Sequence, residues 1–370
     1  MTRTWPRWLP AVTVPAVIAA GALVNASQAG AAVDLPDKTA AQVLTLLGES
    51  SVESLSGTVE QTSELGIPAL PSAGAGADGG AGSGAAGSGA GAALELLTGS
   101  HTARVYVDGP ARIRVQVLDP LAERDVVRNG DEVWLYSSES NAATHLVLPA
   151  DSTRGAKPAH DGVLTPAELA DEFLGAIDES TEVTGDPDTV VAGRPAYDLV
   201  LTPAAADTLV GSVSIAVDAE SGLPLSVDVA ARGQQEPAFR VAFTQLSLEV
   251  PPAERFEFTP PPGATVTEQP LPTAPTSASR PGAGLGLPDS FPGLGRPTVI
   301  GTGWDAVVDL PIGLAASMLS ASPLLDELTS DVDGGRFLHT ALVNVLLTDD
   351  GRLVVGSVPL ERLQATVASR

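Results

Sequence analysis

Residues Ser212–Ala230 read SVSIAVDAESGLPLSVDVA. Val213, Ile215 and Val217 alternate with Ser214, Ala216 and Asp218. Beyond Glu220-Ser-Gly-Leu-Pro224, the residues Leu225, Val227 and Val229 alternate with Ser226 and Asp228. Alternation at period two turns one row of side chains to an apolar face and the other to water. Gly222 and Pro224 supply the turn, so the stretch predicts a hairpin with one wet face. The pattern recurs along the chain, which predicts a mainly β protein dominated by one large antiparallel sheet.

Working outward towards the N-terminus, strands are expected at Leu55–Leu65, Arg104–Val107, Ile113–Val117, Glu123–Arg128, Glu132–Tyr136 and Thr144–Leu148. The turns Asp108-Gly-Pro110 and Asn129-Gly130 join them as a meander. Thr189–Val191 and Ala196–Leu201 precede the hairpin, and Phe239–Leu248 follows it. Leu164–Ser180 breaks the rhythm. Thr165 is placed as an N-cap, Pro166 is at the first helical position and Glu168 completes a capping box. Leu169, Phe173, Ala176 and Ile177 then form a stripe at helical spacing. That helix either closes a hydrophobic core or covers a cavity in the sheet. A second capping box, Thr39-Ala-Ala-Gln42, opens a short helix whose Ala40, Val43, Leu44 and Leu47 need a sheet to lie on.

The chain has 370 residues, enough for one large domain and a smaller one. Its 45 acidic and 20 basic residues give a formal charge of −25. That balance excludes nucleic acid as a partner and excludes a polybasic membrane patch, since both need clustered Lys and Arg. Aromatics make up only 4%, so the core must be packed with Val, Leu and Ala. The absence of cysteine excludes disulfides, thiolate metal sites, Cys nucleophiles and acylation at a Cys.

Residues 1–31 carry Arg3 and Arg7, an apolar run from Leu9 to Val24 and Ala29-Gly-Ala31 as a cleavage signal. They read as a secretory signal peptide, which places the protein outside the cytoplasm. The rival, an uncleaved N-terminal membrane anchor, has a short run interrupted by Pro10 and Pro15. Residues 73–93 are almost wholly Ala, Gly and Ser and are expected to be a disordered loop. No strand and helix N-terminus flank these glycines as a phosphate cradle would require. Residues 269–297 are a Pro/Gly-rich linker. Residues 298–370 form a small α+β C-terminal unit. In it, Leu314–Leu328 supplies one or two short helices, Phe337–Leu347 and Leu353–Val358 flank Asp349-Asp-Gly351 as a hairpin, and Pro359–Ala368 is a closing helix. So small a unit is expected to dock on a partner or on the main domain.

Several motifs together resemble the LolA/RseB-like group, periplasmic lipoprotein carriers and lipid or lipoprotein sensors. They are the early SGTVEQTSELGIPALP strand, Asn129-Gly-Asp-Glu-Val-Trp-Leu-Tyr136, the mid-chain helix, the VDAESGLPLSV hairpin and Phe256-Glu-Phe-Thr-Pro-Pro-Pro-Gly263. The resemblance covers residues 35–268. It implies an unclosed antiparallel β-barrel of about eleven strands with a helical lid, and a cavity that holds acyl chains without catalysis. The Ala/Gly insertion and the C-terminal unit depart from the basic carrier.

The polarity of the strands gives Val105, Val107, Ile113, Val115, Val117, Ile215, Val227, Phe239 and Val241 as inward-facing ligand-binding candidates, with Phe173 and Ile177 from the helix. Each buried methylene contributes about 0.8 kcal/mol, so a chain of about fourteen carbons offers roughly 10 kcal/mol before ordering costs. No catalytic constellation accompanies them. His101, His145, His160 and His339 form no ligand pair, and no G-x-S-x-G elbow occurs. Asp331-Val-Asp-Gly-Gly335 lacks the spaced third ligand and distal Glu of a calcium loop and reads as a turn. Glu123 to Asp125 and Asp349-Asp350 read as solvated turn charges. The expected function is therefore non-enzymatic and needs no cofactor or metal. It is an extracytoplasmic carrier that binds a lipid or lipoprotein acyl chain. The alternative is an RseB-like envelope-stress regulator that senses lipid and grips an anti-sigma or membrane-protein partner through the C-terminal unit.

Overall fold

The computed structural model describes residues 35–66, 99–118, 122–148, 164–175, 177–178, 180–268, 297–310 and 328–369. The signal segment, the Ala/Gly stretch, the linker and the helices expected at Leu314–Leu328 lie outside these residues.

Helix α1 (Ala40–Gly48) is followed by β1 (Ser54–Ser63), β2 (Gly99–Asp108), β3 (Arg112–Leu118), β4 (Glu123–Asn129), β5 (Glu132–Ser137) and β6 (Ala142–Val147). Helix α2 (Pro166–Gly175) leads into β7 (Thr181–Val191), β8 (Arg194–Pro203), β9 (Val210–Asp218), β10 (Pro224–Ala231) and β11 (Pro237–Ser247). A short β12 (Thr265–Glu268) completes a twelve-stranded sheet of order β12-β6-β5-β4-β3-β2-β1-β11-β10-β9-β8-β7. Its neighbours are antiparallel except for β12, which runs parallel to β6. With β12 at one edge and β7 at the other, the sheet is an unclosed β-barrel. The strand count thus exceeds the expected eleven by one.

The central hairpin forms in the expected register, with Val227 opposite Ile215 and Val229 opposite Val213. Its turn is held by the Asp218 amide donating to Leu223 O (2.9 Å) and the Gly222 amide donating to Asp218 O (3.0 Å). Gly222 has φ +73°, and a Cβ there would lie 2.2 Å from the Leu46 carbonyl oxygen of α1. Gly222→Ala therefore combines a left-handed backbone penalty with a clash between two backbones. We expect it to destabilise the fold by about 2–4 kcal/mol. An unchanged urea midpoint would contradict the seating of α1 on this turn.

Both capping boxes are present. The Thr39 amide donates to Gln42 Oε1 (2.8 Å) and the Gln42 amide to Thr39 Oγ1 (3.3 Å). The Thr165 amide donates to Glu168 Oε2 (2.9 Å) and the Glu168 amide to Thr165 Oγ1 (3.3 Å). Helix α2 ends at Gly175, earlier than the expected Ser180. Asp178 accepts the Ser180 amide (2.8 Å) and its backbone carbonyl accepts the Thr181 amide (3.1 Å), which turns the chain into β7. An Asx turn of this kind competes with helical hydrogen bonding. Strand β7 starts eight residues before the expected Thr189. Its Gly185, Asp186 and Pro187 are poor strand formers that an edge position tolerates, and the register shifts there.

After β11 the chain crosses the outer face of β3 and β4 through a 3-10 turn, Ala253–Phe256, and adds β12 to the far edge. Phe256 is buried under Arg112, Arg114 Nη1 donates to the Arg255 carbonyl (3.1 Å), and Phe258 packs on Trp134 and Tyr136.

A second sheet is formed by β13 (Thr298–Ile300), β14 (Val307–Leu310), β15 (Ser330–Val332), β16 (Gly335–Leu338), β17 (Asn344–Thr348) and β18 (Leu353–Gly356), ordered β13-β14-β18-β17-β16-β15. Helix α3 (Leu360–Ala368) closes a small core of Val307, Leu346, Val354, Val358 and Leu363. The single strand expected over Phe337–Leu347 is two strands joined by a loop. Thr340 Oγ1 accepts the Val343 amide (2.9 Å), and Asn344 bonds His339, the Thr340 amide and the Val358 carbonyl. These local polar bonds outcompete strand continuation. The expected turns hold: Asp333-Gly334 lies between β15 and β16, and Asp349-Asp-Gly351 between β17 and β18. This unit docks on the large sheet of its own chain. The Ala341 amide donates to Leu65 O (2.9 Å), the Leu209 amide to Ser357 O (2.7 Å), and Leu342 enters the main core.

Candidate functional site

Strand register assembles the candidate residues into rows on one face of the large sheet. Leu199, Ile215, Val227 and Val241 lie side by side across β8, β9, β10 and β11. Phe239 pairs with Val229 in the next row. On the other side of β1, Val105 pairs with Val115, Val107 with Ile113, and Ala103 with Val117. All eleven candidates belong to one apolar cluster. Val105, Val115, Val117, Ile215, Val227 and Val241 are buried at 3% exposure or less, while Val107, Ile113, Phe173, Ile177 and Phe239 are half-buried against them. The structure therefore brings together every residue that polarity alone selected.

Two helices lie over this inner face. From α1, Val43 is buried and Leu44, Leu46 and Leu47 pack alongside. From α2, Leu169 and Ala170 are buried against β10 and β11, with Phe173 half-buried. Ile177 joins the cluster from the segment beyond the helix rather than from the helix itself. Leu342 of the second unit completes the cover.

Sequence reasoning missed Gln61 and His101. They face each other across β1 and β2, and Gln61 also stands opposite Val241. Gln61 is 2% and His101 8% exposed, so the Leu199–Val241 row continues into a buried polar pair. Parity was the available signal: Leu55, Val59 and Gln61 share one face of β1, and a polar residue in that series marks a polar spot on an apolar surface.

The outer face is polar. Arg114 clasps Asp125 through Nε (3.1 Å) and Nη2 (2.6 Å), and Arg240 holds both oxygens of Asp228 (2.8 and 2.9 Å). Burial pushes the Asp125 and Asp228 carboxyls up, against the pull of their arginines. Thus Asp125 is a buried ion-pair member and not the solvated charge expected from the sequence. Asp198 is pushed up to about 6 by burial, with the Asp186 and Asp228 charges adding to it. Its contribution to stability is present below the ordinary 3.8 and is lost as pH rises through about 6. Asp198→Asn is therefore expected to raise the melting temperature at pH 7.5, by the equivalent of about 1–3 kcal/mol, and to leave it unchanged at pH 3.5. A variant equally stabilised at both pH values would contradict this.

A pocket of about 210 Å³ beside β7 is lined by Asp37, Lys38, Asp186, Asp188, Tyr197 and Asp198. Among the described residues no group of three or more His, Asp or Glu side chains is arranged to hold a metal ion. No helix among the described residues is long and apolar enough to cross a membrane.

No family model and no curated protein matches the chain. Among solved structures, MucB of Pseudomonas aeruginosa in its complex with MucA is similar at 20% identity and a TM-score of 0.41, with 88% of this chain and 96% of that one covered. A conserved protein of Thermus thermophilus is similar at 12% identity and a TM-score of 0.34, covering 62% and 99% of the two chains. A LolA superfamily protein of Nitrosomonas europaea is similar at 12% identity and a TM-score of 0.23, covering 60% and 99%.

Proposed function

We propose that the chain is a non-enzymatic extracytoplasmic protein that binds an acyl chain of a lipid or lipoprotein on the inner face of its half-barrel. The observation that carries this reading is the one apolar cluster that joins the nine strand candidates to Phe173 of helix α2 and to Ile177, on a sheet whose other face carries the Arg114–Asp125 and Arg240–Asp228 pairs and is strapped by residues 252–268. A flexible alkyl chain can replace aliphatic side-chain contacts there without any specific polar partner, each methylene contributing about 0.8 kcal/mol. Branched Val and Ile make up the candidates apart from Phe173 and Phe239, which are the aromatic members. Titration with a dansyl-labelled fatty acid tests the proposal. Saturable binding at one site, displaced by unlabelled fatty acid, is expected. Fluorescence that rises linearly without saturation would overturn it.

A second reading is a regulator that senses lipid and holds an anti-sigma or membrane-protein partner through residues 298–370. The six-stranded sheet with its own core and helix favours it, because a plain carrier has no need of that unit. Glu361 and Ala365 lie on the exposed side of α3. In that case Glu361→Lys with Ala365→Glu loses capture of the partner and keeps acyl binding. Capture unaffected by both changes would count against α3 as the grip.

A further inference from the structure

We propose that Trp304 is a latch that holds helix α2 closed over the inner face, so that acyl entry and latch contact exclude one another. This rests on the acyl-binding reading above and deepens it by assigning the residue that regulates access.

Trp304 belongs to the second unit, in the 3-10 turn Gly303–Asp305. Its indole stacks on Phe173 of α2, with centroids 6.0 Å apart and planes at 16°, and its Nε1–H donates to Thr181 Oγ1 at 2.8 Å. The latch thus grips both ends of the junction between α2 and β7. The approach is close. Gly303 has φ +62°, and a Cβ there would lie 2.9 Å from Asp178 Oδ2 and 3.4 Å from Ser180 Oγ. The turn is tied back to its own unit by Arg362, whose Nη2 lies 3.4 Å from Asp305 Oδ2.

Beneath α2 the apolar surfaces are closed to solvent. Leu169 and Ala170 are 8% and 0% exposed, and Val227 and Val241 on β10 and β11 are both at 0%. A protein interior of this density admits a new chain only if an element moves. Helix α2 is the element that can lift, because it is a ten-residue segment, whereas β10 and β11 are bonded within the sheet. Lifting α2 separates Phe173 from Trp304. By linkage, the ligand must therefore weaken the latch as much as the latch weakens the ligand. The fraction of molecules with α2 raised sets the apparent affinity.

Hydrogen exchange of the α2 amides in the full chain, with and without a saturating dansyl-labelled fatty acid, is the first readout. Stopped-flow binding of the same probe is the second. Trp304→Ala is expected to speed α2 exchange about tenfold without ligand, given the usual worth of an aromatic pair and one hydrogen bond. It is also expected to raise the association rate and tighten the apparent Kd by a similar factor, with little change in the dissociation rate. Trp304→Phe, which keeps the stack and loses the bond to Thr181, is expected to fall between the two. In the wild type, the probe should speed exchange at Val307–Leu310 and in the 303–305 turn. Unchanged α2 exchange in Trp304→Ala overturns the latch whether or not lipid binds. Faster α2 exchange in Trp304→Ala together with no saturable probe binding by either protein overturns the acyl reading instead, and with it the coupling. A purely structural role for Trp304 would weaken binding in Trp304→Ala, which also overturns the proposal.

Discussion

Arg194→Ala is expected to lower the unfolding free energy by about 3–5 kcal/mol, the usual cost of stripping one partner from a buried ion pair. The pair stands where the turn of the central hairpin meets the start of β8. Arg194 Nε and Nη2 reach the two oxygens of Asp218 at 2.7 and 2.9 Å, and Asp218 is 0% exposed. The Ser221 amide adds a bond to Asp218 Oδ2 at 2.8 Å. Glu220, also bonded to Arg194, is exposed and contributes little. Burial pushes the Asp218 carboxyl up, but the Arg194 and Ser221 bonds outweigh it and hold the group below its ordinary 3.8. That sign makes the stabilisation present above pH 3.8 and lost as pH falls through the depressed folded value. The difference between wild type and Arg194→Ala, measured by urea unfolding, should therefore be full at pH 7 and shrink in acid below pH 3.8. Asp218→Asn in the Arg194→Ala background should restore part of the loss, since the orphaned charge is gone. A penalty that does not change with pH would contradict this account of the pair.

The second large effect concerns binding. Phe173→Asp is expected to weaken acyl binding by more than about tenfold, because a carboxylate on an apolar surface costs several kcal/mol to desolvate and the loss of the stack on Trp304 offsets only part of that cost. Phe173 is half-buried, so the charge can turn to solvent and leave a folded protein. Val115 is a poorer choice, since at 3% exposure a charge there would unfold the sheet. Ile113→Asp, on β3 and away from the lid, tests the face independently of α2. Both variants should keep the strand content of the wild type by circular dichroism. Undiminished probe binding in both would show that the inner face is only a core.

The parts of the fold that could be read from sequence are those set by local chemistry. The alternation in Val213–Val217 and Leu225–Val229 gave the apolar face of the hairpin, but the row expected to be wet is largely closed to solvent, with Ala216 at 3%, Asp218 at 0% and Ser226 at 2% exposure. Thr39/Gln42 and Thr165/Glu168 gave two helix starts within a residue. Helix α2's end was not legible, because the competing bond from the Ser180 amide to Asp178 Oδ1 depends on where β7 begins. Strand β12 was hidden for a related reason. Thr265–Glu268 is exposed along its length and strand-like only because β6 offers it an edge. Gln61 shares the parity of Leu55 and Val59 and His101 was weighed only as a metal ligand, so their pairing emerged only when the register set them opposite one another. The apolar rows were legible residue by residue, but what lies over them was not. Trp304 is 131 residues from Phe173 in sequence, and only docking of the second sheet brings the two rings together.

Organic extraction and mass spectrometry of the protein purified from its source organism's culture test the central claim most directly. The expected result is an acyl-bearing lipid or lipopeptide in near one-to-one ratio with the chain. A protein that carries no lipid and also refuses added fatty acid would contradict it.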